Sequence, residues 1–160
     1  MGFEMNDATA VIDSYECGPA VLRASLEPVD HSQYDVRPIP GRWSIREVVC
    51  HLADAEIIYA DRMKRVLAET NPTFFDADPD QFRQALSDKN RSVDAELSVV
   101  ESVRRHMLPI LRAVDEDGLH RAGVHSLDGP MTLHTLLQRI TNHIPHHVRF
   151  IEEKIAALTR

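Results

Sequence analysis

Three histidines carry the chemistry that this sequence can do. His51 lies in Cys50-His51-Leu52-Ala53-Asp54-Ala55-Glu56, and His143 and His147 lie far downstream in Asn142-His143-Ile144-Pro145-His146-His147. Four residues on a helix is little more than one turn, so His143 and His147 project from one side and can close on one metal ion, with His51 supplied by another helix. Three imidazoles leave open positions on a divalent cation, which can then make bound water acidic or bind a thiol as thiolate. Either gives a nucleophile at neutral pH. Imidazole suits Zn, Ni and Fe alike, so the metal is left open.

The i, i+4 spacing alone is a weak signal in a chain with 9 histidines, and a bundle whose histidines bind nothing is the alternative. Glu56 is the nearest proton-transfer candidate. Its competing reading is a structural carboxylate bonded to Arg, Tyr or backbone, because an unpaired buried charge is costly. Asp54 reads as a solvated residue, or else as an acceptor that orients His51. Trp43 reads as a core anchor and Cys50 as a free, partly buried thiol. His31, His106, His120, His125 and His134 read as surface or loop residues without assignment.

Helices must position these groups. Four long stretches have helical periodicity and nothing alternates as a strand would, which predicts an all-α, antiparallel four-helix bundle. The first helix is expected over about 7–26, interrupted at Gly18-Pro19. Ser44 with Glu47 forms a capping box that opens the second, ending near Glu69 before Asn71-Pro72. Asp78-Pro79 starts a short helix to about Asp88, the third long helix runs from about Ser92 to Val114 with a kink at Pro109, and the last runs from Thr132 to about Leu158.

On the last helix Leu133, Leu136, Leu137, Ile140, Ile144, Val148, Ile151, Ile155 and Leu158 fall in one arc roughly 120° wide. His147 lies about 40° and His143 about 80° from its centre, whereas His146 lies about 140° away and should face solvent. On the second helix His51 sits about 120° from the apolar centre, a boundary position suited to a groove between helices, and Glu56 falls inside the arc.

The bulk composition limits the alternatives. With 160 residues, 43% hydrophobic and 27% charged, the chain reads as one globular domain spanning 1–160. A net charge of -7 with scattered basic residues, Arg46, Arg62, Lys64, Arg65, Arg104 and Arg105 among them, excludes a phosphate-binding stripe and argues against nucleic acid. Two cysteines make no disulfide framework, and neither a signal segment nor a membrane span is evident, so a cytoplasmic location is expected.

The run Pro40-Gly41-Arg42-Trp43-Ser44-Ile45-Arg46-Glu47-Val48-Val49-Cys50-His51-Leu52-Ala53-Asp54-Ala55-Glu56, with Arg62 after it, resembles the signature of the DinB-like (DinB/YfiT-like) superfamily. Gly18-Pro19 upstream, and Gly129 with Thr132-Leu133 and His143-Ile144-Pro145-His146-His147 downstream, extend the likeness. The resemblance implies a four-helix bundle with a long crossover connection, often a homodimer, holding a divalent metal through His51, His143 and His147. It also implies a small-molecule substrate, with metal-dependent hydrolysis, S-transfer to a low-molecular-weight thiol and mycothiol-dependent isomerisation all represented. Where relatives often carry Gln shortly after the last ligand this chain has Val148-Arg149-Phe150, so the substrate does not carry over. The expected function is therefore a metal-dependent hydrolase or thiol S-transferase; the alternative is a non-catalytic, stress-related metal-binding protein.

Overall fold

The computed structural model describes residues 2–159, with side chains from Asp7 onward. Four long helices form the bundle: α1 (Gly2–Leu26), α2 (Ile45–Ala68), α4 (Val93–Arg112) and α6 (Leu133–Leu158). Short helices α3 (Pro79–Ala85) and α5 (Glu116–His120) lie in the connections. Helix starts follow the caps read from sequence. Ser44 accepts from the Glu47 amide while the Glu47 carboxylate takes the Ser44 N–H, and Asp78, Ser92 and Thr132 cap α3, α4 and α6. No helix of the described residues is long and apolar enough to cross a membrane.

Each long helix packs mainly on two others: α1 on α6 and α4, and α2 on α4 and α6. Consecutive helices α1 and α2 therefore stand diagonally. The directions follow from paired residues. Arg23 meets Glu101 while Arg112 meets Glu16, so α1 and α4 run antiparallel. Arg46 bonds the Arg91 carbonyl beside the start of α4 and Glu56 meets Arg104, so α2 and α4 run parallel, as the long 69–92 crossover between them requires.

Two sequence expectations need correction. α1 is not interrupted at Gly18-Pro19; it continues through both. Pro19 has no N–H for the Tyr15 carbonyl, but the Arg104 guanidinium donates to that oxygen at 2.6 Å and replaces the missing bond. A Cβ at Gly18 would fall 2.1 Å from Arg104 Nη1, so glycine admits the guanidinium that repairs the helix.

The second correction is a small sheet, ordered β1-β2-β3, from β1 (Thr73–Phe74), β2 (Ala122–His125) and β3 (Gly129–Thr132). β2 and β3 pair antiparallel with His125 opposite Gly129, and β1 joins β2 in parallel with Phe74 opposite His125. The buried positions of β2 are Gly123 and His125, so its two-residue period carries no hydrophobic signal.

Arg104 is the largest departure from a scattered, solvated basic residue. It is 1% exposed, and it lies between Val100 and Met107 on the buried stripe of α4. Its Nε and Nη2 donate to Glu56 Oε1 at 2.9 and 2.5 Å, and Nη2 also reaches the Ile140 carbonyl at 3.0 Å. The guanidinium stacks over the Tyr15 ring, 4.3 Å from its centroid. One side chain thereby ties α4 to α1, α2 and α6.

Candidate metal centre

His51 stands on the second turn of α2, behind the Ser44 cap. Glu47 closes that cap and is itself gripped by Arg37 and Arg83, which fixes where the helix begins and hence where His51 projects. On α6 the residues Leu133, Leu136, Leu137, Ile140, Ile144, Val148 and Ile151 are buried, as the wheel requires. That seating leaves His143 and His147 half-buried at the edge and His146 exposed.

The structure brings His51, His143 and His147 together. One ring nitrogen from each lies within 4.8 Å of those of the other two, and the Nε2 atoms of His51 and His143 are 3.0 Å apart. Ring centroids are separated by 4.8, 4.8 and 4.6 Å, with planes steeply inclined to one another. An ion at roughly 2.0–2.1 Å from each nitrogen, with tetrahedral angles, would set the nitrogens about 3.3 Å apart, so the donor set fits one divalent cation.

Electrostatics favour neutral rings. Burial first, then the neighbouring His147 and His51, pushes His143 down to about 2. Burial, then His51 and His146, pushes His147 down to about 3. Burial also lowers His51, against the attraction of Asp54. All three therefore offer lone pairs at neutral pH, which is the state a metal needs. Among the described residues the buried Nδ1 atoms of His143 and His147 have no hydrogen-bond partner, so packing rather than a carboxylate holds those rings there.

His51 and His143 line a cavity of about 280 Å³ together with Ile58, Tyr59, Arg62, Phe82, His125 and Arg139. Other expected site residues are placed differently. Glu56, 0% exposed, is absent from the cavity lining; its oxygens take Arg104 and, at 3.4 Å, the Tyr15 hydroxyl. Burial pushes this carboxyl up while Arg104 opposes it by stabilising the anion. Asp54 is not a solvated residue: Arg91 takes both of its oxygens, at 2.8 and 2.9 Å. Trp43 is only partly buried and meets the His51 ring edge-on at 5.3 Å. Cys50 is buried and free, with its thiol pushed up to about 12, so it is no thiolate nucleophile.

Two cavity residues escaped the sequence reading. Arg62 is 7% exposed and His125 5% exposed, although both read as surface or loop positions. Arg62 follows Ile58 by one helical turn, which is a usable signal; His125 is placed by strand pairing, which leaves none in a single sequence.

A sequence profile of the DinB superfamily matches residues 15–151, a span that includes all three histidines. The chain belongs to the DinB superfamily. It is 25% identical over 140 residues to a protein of Oceanobacillus iheyensis named "putative metal-dependent hydrolase", covering 88% of this chain and 81% of that protein. A Bacillus cereus protein of the same name is 26% identical over 140 residues, covering 88% and 80%. Among solved structures, YfiT from Bacillus subtilis superposes with a TM-score of 0.85 at 26% identity, over 91% of this chain and 84% of its own. It is described as "a probable metal-dependent hydrolase with an unusual four-helix bundle topology". The four-helix bundle protein TT2238 superposes with a TM-score of 0.64 at 18% identity, over 91% and 98% of the two chains, a likeness of fold.

Proposed function

We propose that this DinB-superfamily chain is a metal-dependent hydrolase of a small molecule, with His51, His143 and His147 holding one divalent cation. The observation that carries this reading is the convergence of three imidazoles beside a cavity of about 280 Å³. When bound, the cation supplies Lewis acidity that makes water nucleophilic near neutral pH. The protein's part is to fix the ligands. α6 holds two of them through its buried face, and Trp43 packs against the edge of the third. Glu56 serves as a positioning residue: through Arg104 it links α2 to the Ile140 carbonyl, one turn before His143.

The same ligands would serve S-transfer to a low-molecular-weight thiol, so the test has two arms. Protein purified without a histidine tag is analysed for bound metal, then assayed with activated esters and amides in water alone and with added thiols. Metal-dependent turnover in water, lost in His51→Ala, supports hydrolysis. Turnover only with a thiol would replace it with S-transfer, and bound metal without turnover would leave a binding protein.

A further inference from the structure

The cavity contains a second set of polar groups that the three histidines do not use. His125 sits at the end of β2, where the turn into β3 directs the Leu127 and Asp128 amides onto its Nδ1 at 3.3 and 3.2 Å. An amide N–H can bond only to an unprotonated ring nitrogen, so the ring proton of neutral His125 resides on Nε2. That Nε2–H has no hydrogen-bond acceptor among the described residues, although its side chain is buried and lines the cavity.

Arg62 lines the same cavity. Its Nη2 donates to the Phe75 carbonyl at 2.7 Å and its guanidinium lies over the Tyr59 ring, 5.2 Å from the centroid. Nε and Nη1 have no hydrogen-bond acceptor among the described residues. The carboxylates that line the cavity make no hydrogen bond to these donors: Arg91 holds Asp54, Arg139 holds Asp128 at 2.6 Å, and Asp76 lies 3.9 Å from His125 Nε2, at ion-pair rather than hydrogen-bond distance. A buried guanidinium fixed by one backbone bond and an imidazole held as a donor line the same cavity and present several N–H groups that make no hydrogen bond among the described residues. That is the complement of an oxyanion.

We propose that Arg62 and His125 form a recognition subsite for a carboxylate on the small-molecule substrate whose reacting group lies at His51 and His143. The substrate assignment rests on the metal-dependent reading, but the subsite itself needs no metal. A carboxylate accepts from both side chains, whereas a carboxamide of the same shape turns N–H groups toward donors and leaves pairs unmade. The subsite thus selects acids over their amides.

The test uses metal-free protein in EDTA with acetate and acetamide as probes, small enough to enter any geometry of the cavity. Binding is followed through the Arg62 Nε–H and His125 Nε2–H signals in proton–nitrogen correlation spectra. Acetate should shift both signals saturably and acetamide should not. Arg62→Gln and His125→Phe should each weaken acetate about tenfold, the size expected for one charge-assisted bond. Arg62→Lys, which keeps the charge and loses the planar fork, covers the case in which Arg62→Gln does not fold, and should also weaken it. Because the titration is run in EDTA, loss of metal binding and loss of this subsite are read separately. Equal affinity for acetate and acetamide, or acetate binding unchanged by both Arg62 and His125 substitutions, overturns the proposal.

Discussion

Arg104 donates to the Tyr15 carbonyl at 2.6 Å, the acceptor that Pro19 leaves unpaired one turn along α1. A buried cation, a proline and a glycine are thereby one device, because the same guanidinium occupies the space a Gly18 side chain would need. Gly18→Ala should therefore destabilise the protein by about 1–3 kcal/mol, as overpacking does, despite the better helix propensity of alanine. Urea denaturation measures it; an unchanged or raised midpoint would mean that Arg104 does not need that space.

Arg104 and Glu56 should behave as a pair. Removing one partner strands the other charge in the core, so Arg104→Met should cost about 3–5 kcal/mol. The double variant Arg104→Met/Glu56→Leu should recover much of that loss. Additive losses in a double-mutant cycle would contradict the pairing.

Glu56→Gln separates positioning from proton transfer. With Glu56 outside the cavity lining, the variant should lose stability yet keep its metal and most of any hydrolytic turnover. A collapse of kcat with the metal retained and KM unchanged would return Glu56 to a direct chemical role.

Acid should destabilise the metal-free protein through the histidine cluster. In the fold His143 is held down to about 2 and His147 to about 3, while in the unfolded chain each imidazole protonates near pH 6.5. The unfolded state then binds more protons between those values. The stabilising contribution is full above about pH 6.5 and falls as pH drops toward the folded pKa values. His143→Leu should flatten this slope between pH 7.5 and 5, as read from denaturation midpoints. Identical slopes in parent and variant would contradict the burial assigned to His143. The same shifts move proton competition with a metal below the pH of about 6.5 that free imidazole predicts, so metal affinity should hold through that pH.

The long helices and the histidine set were legible because they rest on local rules. Caps at Ser44, Asp78, Ser92 and Thr132 mark starts, and the 3.6-residue period of α6 separates His147 from His146. The hidden parts depend on what distant segments offer each other. Nothing local reveals that Arg104 will find Glu56, the Tyr15 carbonyl and the Ile140 carbonyl in the core, although its place between Val100 and Met107 marks it as facing inward. The strands are two and four residues long, and β2 buries a glycine and a histidine, so pairing rather than hydrophobic pattern creates them. His125 and the cavity beside it were invisible for that reason.

Metal stoichiometry across five proteins tests the central claim most directly. The parent chain, made without a tag and given excess divalent metal followed by gel filtration, should retain about one ion per chain, as one three-histidine site requires. His51→Ala, His143→Ala and His147→Ala should each lose it, and His146→Ala should keep it. A parent that retains no metal, or a His146 variant that loses it while the His147 variant does not, would contradict the account.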